Sequence, residues 1–270
     1  MVKFVFAFPL LLFIMTSCGK HQQIRTQQPT GAGDGAHKEL AEKGIPCTNE
    51  ALLERAKNGD TRAVELLIAA GISPNTRYIA GTTALMEAAR FGHADTLRTL
   101  LSSGADMNAK DDFGRTALSF AIQQGAQVAV VKELLEKGAD PNSTLNNGQA
   151  ALMLSVDSPE IVKALIEKGA DVNAKFPDTG QSILMLMVLG DELENVKAVL
   201  EKNPDVNASD NRGFTALMFA AANNKLAFAK ALLQKGADVN AKSSNGETAF
   251  TLAKRNSEMM RLLEEAKPKD

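Results

Sequence analysis

Gly104-Ala105-Asp106-Met107-Asn108 is one of five near-copies of a single phrase in this chain of 270 residues. GADPN follows from Gly138, GADVN from Gly169, NPDVN from Asn203 and GADVN from Gly236, while a degenerate GISPN opens at Gly71. The starts lie 33, 34, 31, 34 and 33 residues apart. Recurrence at that period predicts a stack of one supersecondary unit, because a unit this small cannot bury its apolar face alone. Such a stack offers a long surface in place of a cleft.

The sequence between two copies gives the unit's shape. Asp111-Asp112-Phe113-Gly114-Arg115 is a turn signal. Thr116 is placed to cap a short apolar helix through Ile122, which Gln123-Gln124-Gly125 breaks. Val131, Leu134 and Leu135 then recur at helical spacing in a second helix, and Gly138 sits where a helix stop wants a left-handed residue. Each unit is therefore expected to be a hairpin followed by two antiparallel helices.

This pattern resembles the ankyrin repeat, with its D-x-x-G-x-T-P-L-H-x-A-A opening and G-A-D-V-N-A close. The T-P-L-H quartet stands here as Thr83-Ala84-Leu85-Met86, Thr116-Ala117-Leu118-Ser119, Ala150-Ala151-Leu152-Met153, Ser182-Ile183-Leu184-Met185, Thr215-Ala216-Leu217-Met218 and Thr248-Ala249-Phe250-Thr251. No quartet holds proline. Its histidine is usually Met, so apolar packing is expected to replace the family's histidine hydrogen bonds. The resemblance covers residues 48–270 and implies an all-α ankyrin-repeat solenoid with atypical capping repeats at about 48–77 and 243–270. The 31-residue spacing shortens one helix-helix connection at Val156-Asp157-Ser158-Pro159, and Asn203-Pro204 replaces the Gly-Ala stop of the next unit.

Residues 1–17 read as a signal peptide: Lys3 supplies a positive start, and Phe4 to Met15 is an apolar run of twelve. A spanning helix needs about 20. Met15-Thr16-Ser17-Cys18-Gly19 resembles a bacterial lipobox, with Met15 where Leu is usual, and implies lipidation of Cys18. A plain secretory signal would want an A-x-A-like site, and none follows. Gly19 is not the Asp that holds such lipoproteins at the inner membrane, so a periplasmic protein lipid-anchored at the outer membrane is expected. Residues 18–47 read as the lipidated Cys and a flexible tether with an r.m.s. span of roughly 30 Å; a short helix over residues 37–43 stopped by Gly44 is one option within it. Cys47 is expected to pack as a small apolar residue at the start of the array.

Catalysis finds no support. Of the three histidines, His21 and His37 lie in the tether and His93 at a helix-helix break, where packing accounts for it. No nucleophile elbow, zinc-binding H-E-x-x-H, C-x-x-C or phosphate loop occurs. Gly31-Ala32-Gly33-Asp34-Gly35-Ala36 meets a loose dinucleotide fingerprint but follows no strand, so linker is the better reading. Met86, Met153, Met185 and Met218 share one register, where core filling outweighs a copper ladder. The expectation is no enzyme, no cofactor and no metal. A net charge of −2 gives no pull toward nucleic acid.

The resemblance instead implies a monomeric protein-binding module that uses hairpin tips, from Arg77 and Ile79 to Glu247, and inner-helix positions that include Arg90, Phe91, Gln123, Gln124, Asn223 and Arg255. Interface hot spots favour aromatics and Arg, which singles out Tyr78, Arg90, Phe91, Phe113, Arg115, Phe176, Arg212 and Phe214. A Phe beside the hairpin Gly could equally pack on the neighbouring hairpin, whereas the adjacent arginines have less structural reason to be there. Bacterial periplasmic ankyrin proteins of this size include immunity proteins of predatory bacteria, so inhibition or shielding of a cell-wall (peptidoglycan) endopeptidase is one expectation. An envelope scaffold, or a protector of an oxidative-stress enzyme, is the alternative. A host-delivered effector conflicts with a lipid anchor.

Overall fold

A computed structural model describes residues 32–267 except 124, 126, 127, 254 and 255. The expected signal peptide, Cys18 and the first part of the tether lie outside the described residues. Fifteen α-helices follow in order: α1 (Ala32–Glu42), α2 (Asn49–Lys57), α3 (Thr61–Ala69), α4 (Ala84–Arg90), α5 (Ala94–Ser102), α6 (Ala117–Gln123), α7 (Val128–Glu136), α8 (Ala151–Leu154), α9 (Pro159–Glu167), α10 (Ile183–Leu189), α11 (Leu193–Leu200), α12 (Ala216–Ala222), α13 (Leu226–Gln234), α14 (Ala249–Leu252) and α15 (Ser257–Glu265). Even-numbered helices pack successively into a front row. Odd-numbered ones form a back row, and hairpins project at the front-row N-termini. The fold is an all-α solenoid, and no helix among the described residues is long and apolar enough to cross a membrane.

Front helices start where a hydroxyl is available. Thr83, Thr116, Ser182, Thr215 and Thr248 each accept the backbone N–H three residues on, at 3.2–3.4 Å. Each such cap contributes about 1 kcal/mol. Ala150 has no hydroxyl, and the helix it opens, α8, is a single turn. The fourth quartet residue is more than apolar filler. Met86 Sδ accepts the Thr83 N–H at 3.4 Å and Met153 Sδ that of Ala150 at 3.5 Å, while Ser119 and Thr251 hydroxyls serve the same N–H at 2.8 and 2.9 Å. All four methionines, Met86, Met153, Met185 and Met218, are buried, as the expected apolar packing requires, and the Met86 and Met153 sulfurs add a local bond to their own helix starts.

The GADxN phrase links repeats as well as stopping helices. Its Asn side-chain oxygen accepts the N–H of the next repeat's Asp: Asn75 to Asp106 (2.6 Å), Asn108 to Asp140 (3.0 Å), Asn142 to Asp171 (2.8 Å), Asn173 to Asp205 (2.8 Å) and Asn207 to Asp238 (2.7 Å). Asn75, Asn142 and Asn207 also donate to the following Gly carbonyl. Asn203 takes the stop position with φ +52°, so NPDVN still ends its helix.

The tether expectation needs correction. Residues 32–42 form α1, which packs on α3 in the back row and takes in most of the short helix considered over residues 37–43. Ala36, Leu40 and Ile45 are buried, the first two at i, i+4 spacing. Among the described residues the array thus opens on half a repeat, ahead of the cap expected at 48–77. Cys47 is exposed, because it lies in the turn between α1 and α2 instead of beneath a helix. Arg62 of α3 grips Glu39 of α1 with Nη2 at 2.7 Å and Nε at 3.2 Å, and this hydrogen bonding holds the Glu39 carboxyl below the usual glutamate range. A depressed carboxyl stabilises above its ordinary pKa and loses that contribution as pH falls through the lowered one. Acidification through that lowered pKa should therefore loosen α1, visible as rising NMR mobility of residues 32–42 whose pH dependence Glu39→Gln abolishes.

Both irregular units are accommodated by side chains reaching across repeats. The buried Asn195 of α11 donates Nδ2–H to Val156 O at 2.6 Å, fixing the shortened connection, and Pro159 occupies the first turn of α9. Lys225 donates to the Leu189 carbonyl at 3.1 Å and to that of Gly190, closing the C-terminus of the all-apolar α10.

Candidate protein-binding surface

Six hairpins are each closed across their ends by a backbone bond, Tyr78 N to Thr82 O, Asp111 N to Arg115 O, Leu145 N to Gln149 O, Phe176 N to Gln181 O, Asp210 N to Phe214 O and Ser243 N to Glu247 O, at 2.8–3.0 Å, and within each the Gly N–H donates back to the first residue's carbonyl. Neighbours are tied edge to edge by Asp112 N to Ala80 O, Asn146 N to Phe113 O, Asn211 N to Thr179 O and Ser244 N to Arg212 O. The corresponding donor position between the third and fourth hairpins is Pro177, which has no N–H. Gly114 shows how close these edges come: at φ +78°, an added Cβ would lie 2.6 Å from Asn146 Oδ1.

Asp111 organises the second hairpin. Its Oδ1 accepts the Phe113 and Arg115 N–H groups at 2.9 and 2.7 Å, and its Oδ2 accepts Arg115 Nε at 2.7 Å. The Asp111 side chain is 0% exposed and that of Arg115 29%. The Arg115 guanidinium lies 4.9 Å from the Phe113 ring and 4.3 Å from that of Phe120 in α6. Asp210 repeats the arrangement with Arg212 and Phe214, where Arg212 Nη2 stands 3.3 Å from Asp210 Oδ2 and its guanidinium 4.9 Å from the Phe214 ring. The reading that these arginines have less structural reason to be there than the adjacent Phe residues is therefore corrected: each braces its own hairpin.

The eight expected anchors are not equivalent. Phe113 and Phe91 are exposed (57% and 45%). Phe91 ends α4 with Arg90 5.4 Å and Lys57 5.8 Å from its ring and His93 stacked at 6.4 Å. Phe176 and Phe214 are half-buried against the core, Phe214 tilted on Phe219 at 5.7 Å; Tyr78 is half-buried and Arg212 exposed. Gln124 and Arg255 lie outside the described residues. Two exposed apolar residues were not among the anchors, Ile79 (75%) at the first hairpin tip and Leu189 (43%). Leu189 stands seven residues after its helix cap, as Arg90 does, so register could have found it.

His93 Nε2 lies 2.9 Å from the Lys57 carbonyl, which joins two helix-helix breaks. Among the described residues no three His, Cys, Asp or Glu side chains gather to hold a metal. The recess beside the shortened connection, about 360 Å³ and lined by Ile122, Gln123, Leu154, Asp157 and Ile161 among others, is shallow. This geometry supplies a row of hydrogen-bonded hairpins, two of them braced by a buried Asp, with apolar residues exposed at the first two tips.

The family described as Ankyrin repeats (3 copies) matches residues 30–111, 103–176 and 175–243. The chain is similar to the ankyrin repeat domain of Bcl-3, a member of the IkappaB family (26% identity, TM-score 0.71, 79% of this chain and 97% of that one). It is also similar to the human ASB11 ankyrin repeat domain (26% identity, TM-score 0.66, 81% and 98%). A third similar chain comes from the complex of the predatory endopeptidase Bd0816 of Bdellovibrio bacteriovorus with immunity protein Bd3460 (28% identity, TM-score 0.60, 71% and 100%). No curated protein matches the sequence. With hairpins, paired helix rows and the family match covering most of its length, the chain belongs to the ankyrin-repeat family, whose members are protein-interaction modules.

Proposed function

We propose that this protein is a non-catalytic binding module that inhibits or shields an enzyme of the bacterial envelope, a peptidoglycan endopeptidase, from a lipid anchor at Cys18 on the periplasmic face of the outer membrane. The carrying observation is the surface itself: exposed Ile79 and Phe113 on two joined hairpins and Phe91 at a front-helix end, where interface hot spots are aromatic and Arg-rich. The similarity to a chain of an endopeptidase–immunity protein complex supports the choice of partner. The address rests on the N-terminal sequence alone. Inhibition needs no chemistry from this chain; a rigid array laid across a cleft excludes substrate by shape.

Affinity capture from the source envelope tests this. The full array is expected to recover one wall hydrolase, with Phe91→Ser/Phe113→Ser weakening capture at least tenfold. Those residues are exposed, so the fold survives their loss. Arg115→Glu is the wrong probe, since it would set a second carboxylate against Asp111. Recovery of several partners, none of them inhibited, would favour the scaffold alternative.

A further inference from the structure

Three of the four exposed large apolar residues among those described, Ile79, Phe91 and Phe113, fall on α4 and the two hairpins that flank it. Those hairpins are joined through Asp112 N to Ala80 O at 2.9 Å, so Ile79 and Phe113 stand on one edge. The charges around them are lopsided. Lys57, Arg77, Arg90, Lys110 and Arg115 face Glu87, Asp111 and Asp112, five cations against three carboxylates in a chain whose net charge is −2. Two of the three carboxylates are sequestered: Asp111 is fully buried against Arg115, and the Glu87 side chain is 11% exposed beside Arg90. Only Asp112 shows its charge to solvent, at 65% exposure and 3.9 Å from Arg77, which leaves Lys57 and Lys110 as the surplus cations.

We infer that the N-terminal third of the array is the docking surface and that it takes an acidic protein segment: an aromatic or branched aliphatic side chain flanked by Asp or Glu. This rests on the reading of the chain as a protein-binding module and assigns the partner's chemistry. The apolar side chain packs on Ile79 and Phe113 with its neighbouring carboxylates at Arg77 and Lys110, and Phe91, at the other end of α4 about 10 Å along its axis, takes a further apolar group beside Lys57 and Arg90. Cations of opposite sign to the partner give register and speed of encounter, while the desolvated aromatics give affinity. A membrane surface suits the site less well. Arg77 is committed to the Lys110 carbonyl at 2.7 Å and Lys110 to that of Thr144 at 3.3 Å, so these cations are held in place and not gathered as a mobile polybasic cluster.

The test is a selection of phage-displayed random 12-residue peptides on the full chain, followed by affinities of the enriched peptides in low and high salt. Enrichment of peptides with an aromatic or aliphatic residue beside Asp or Glu is expected. Their binding should weaken at least tenfold in Ile79→Asp/Phe113→Asp and in 0.5 M salt, and stay unchanged in Leu189→Asp. The inference is overturned by enrichment of basic or uncharged peptides, by no enrichment, by indifference to Ile79→Asp/Phe113→Asp, or by binding of anionic phosphatidylglycerol vesicles that the same double substitution removes. Peptide selection does not involve any endopeptidase, so its outcome stands apart from that of the inhibition reading.

Discussion

Asp111→Ala should destabilise the array by about 3 kcal/mol in denaturant unfolding, more than any other hairpin substitution. It orphans two backbone N–H groups and leaves Arg115 without its buried partner, the two losses that make a broken buried pair costly. The figure sits at the low end for such pairs because Arg115 can turn to water. Asp111→Asn keeps the Oδ1 acceptor and should lose about half as much. In both variants the loop that displays Phe113 loses its brace, so binding should fall beyond what stability explains. Wild-type stability in Asp111→Ala would contradict the reading of that carboxylate.

A second large effect is expected where the 31-residue unit meets its successor. Native-state hydrogen exchange should find α8 and the hairpin at 145–149 opening at about 2 kcal/mol less than α4 and α6, so roughly thirtyfold faster. Three deficits meet there. Ala150 provides no cap, α8 is one turn long, and Pro177 cannot donate the edge bond that joins other neighbouring hairpins. In a linear stack each interface contributes separately, so a weak one opens by itself. Ala150→Thr should restore about 1 kcal/mol and slow that exchange. Uniform protection from α4 to α12 would refute the weak junction.

The periodic features were legible because they are local. Turn residues, hydroxyl caps, apolar helices and left-handed stops all lie within one repeat, and Asn203 could be read as a stop from its tolerance of positive φ. What required the neighbouring repeat was not. The Asn of GADxN looks like part of a stop until its acceptor role one repeat onward is seen. Arg115 and Arg212 look like bare surface arginines because nothing in their spacing says that the hairpin Asp is buried. The half-repeat at α1 did leave a trace: Lys38-Glu39-Leu40-Ala41-Glu42-Lys43-Gly44 parallels Lys132-Glu133-Leu134-Leu135-Glu136-Lys137-Gly138. Glycines at 33 and 35 made the start of that segment read as linker. On the surface, Phe91 and Phe113 were legible as exposed aromatics at hairpin and helix-end register, while Ile79 passed as an ordinary tip residue and Leu189 as the end of an apolar run.

The most direct measurement is a titration of the array into the wall hydrolase captured from the same envelope, with release of cleaved peptidoglycan as the readout. Activity is predicted to fall linearly to near zero at one array per enzyme, and to persist when Phe91→Ser/Phe113→Ser replaces the wild type. Full hydrolase activity at saturating array, with binding intact, would contradict inhibition and leave a scaffold.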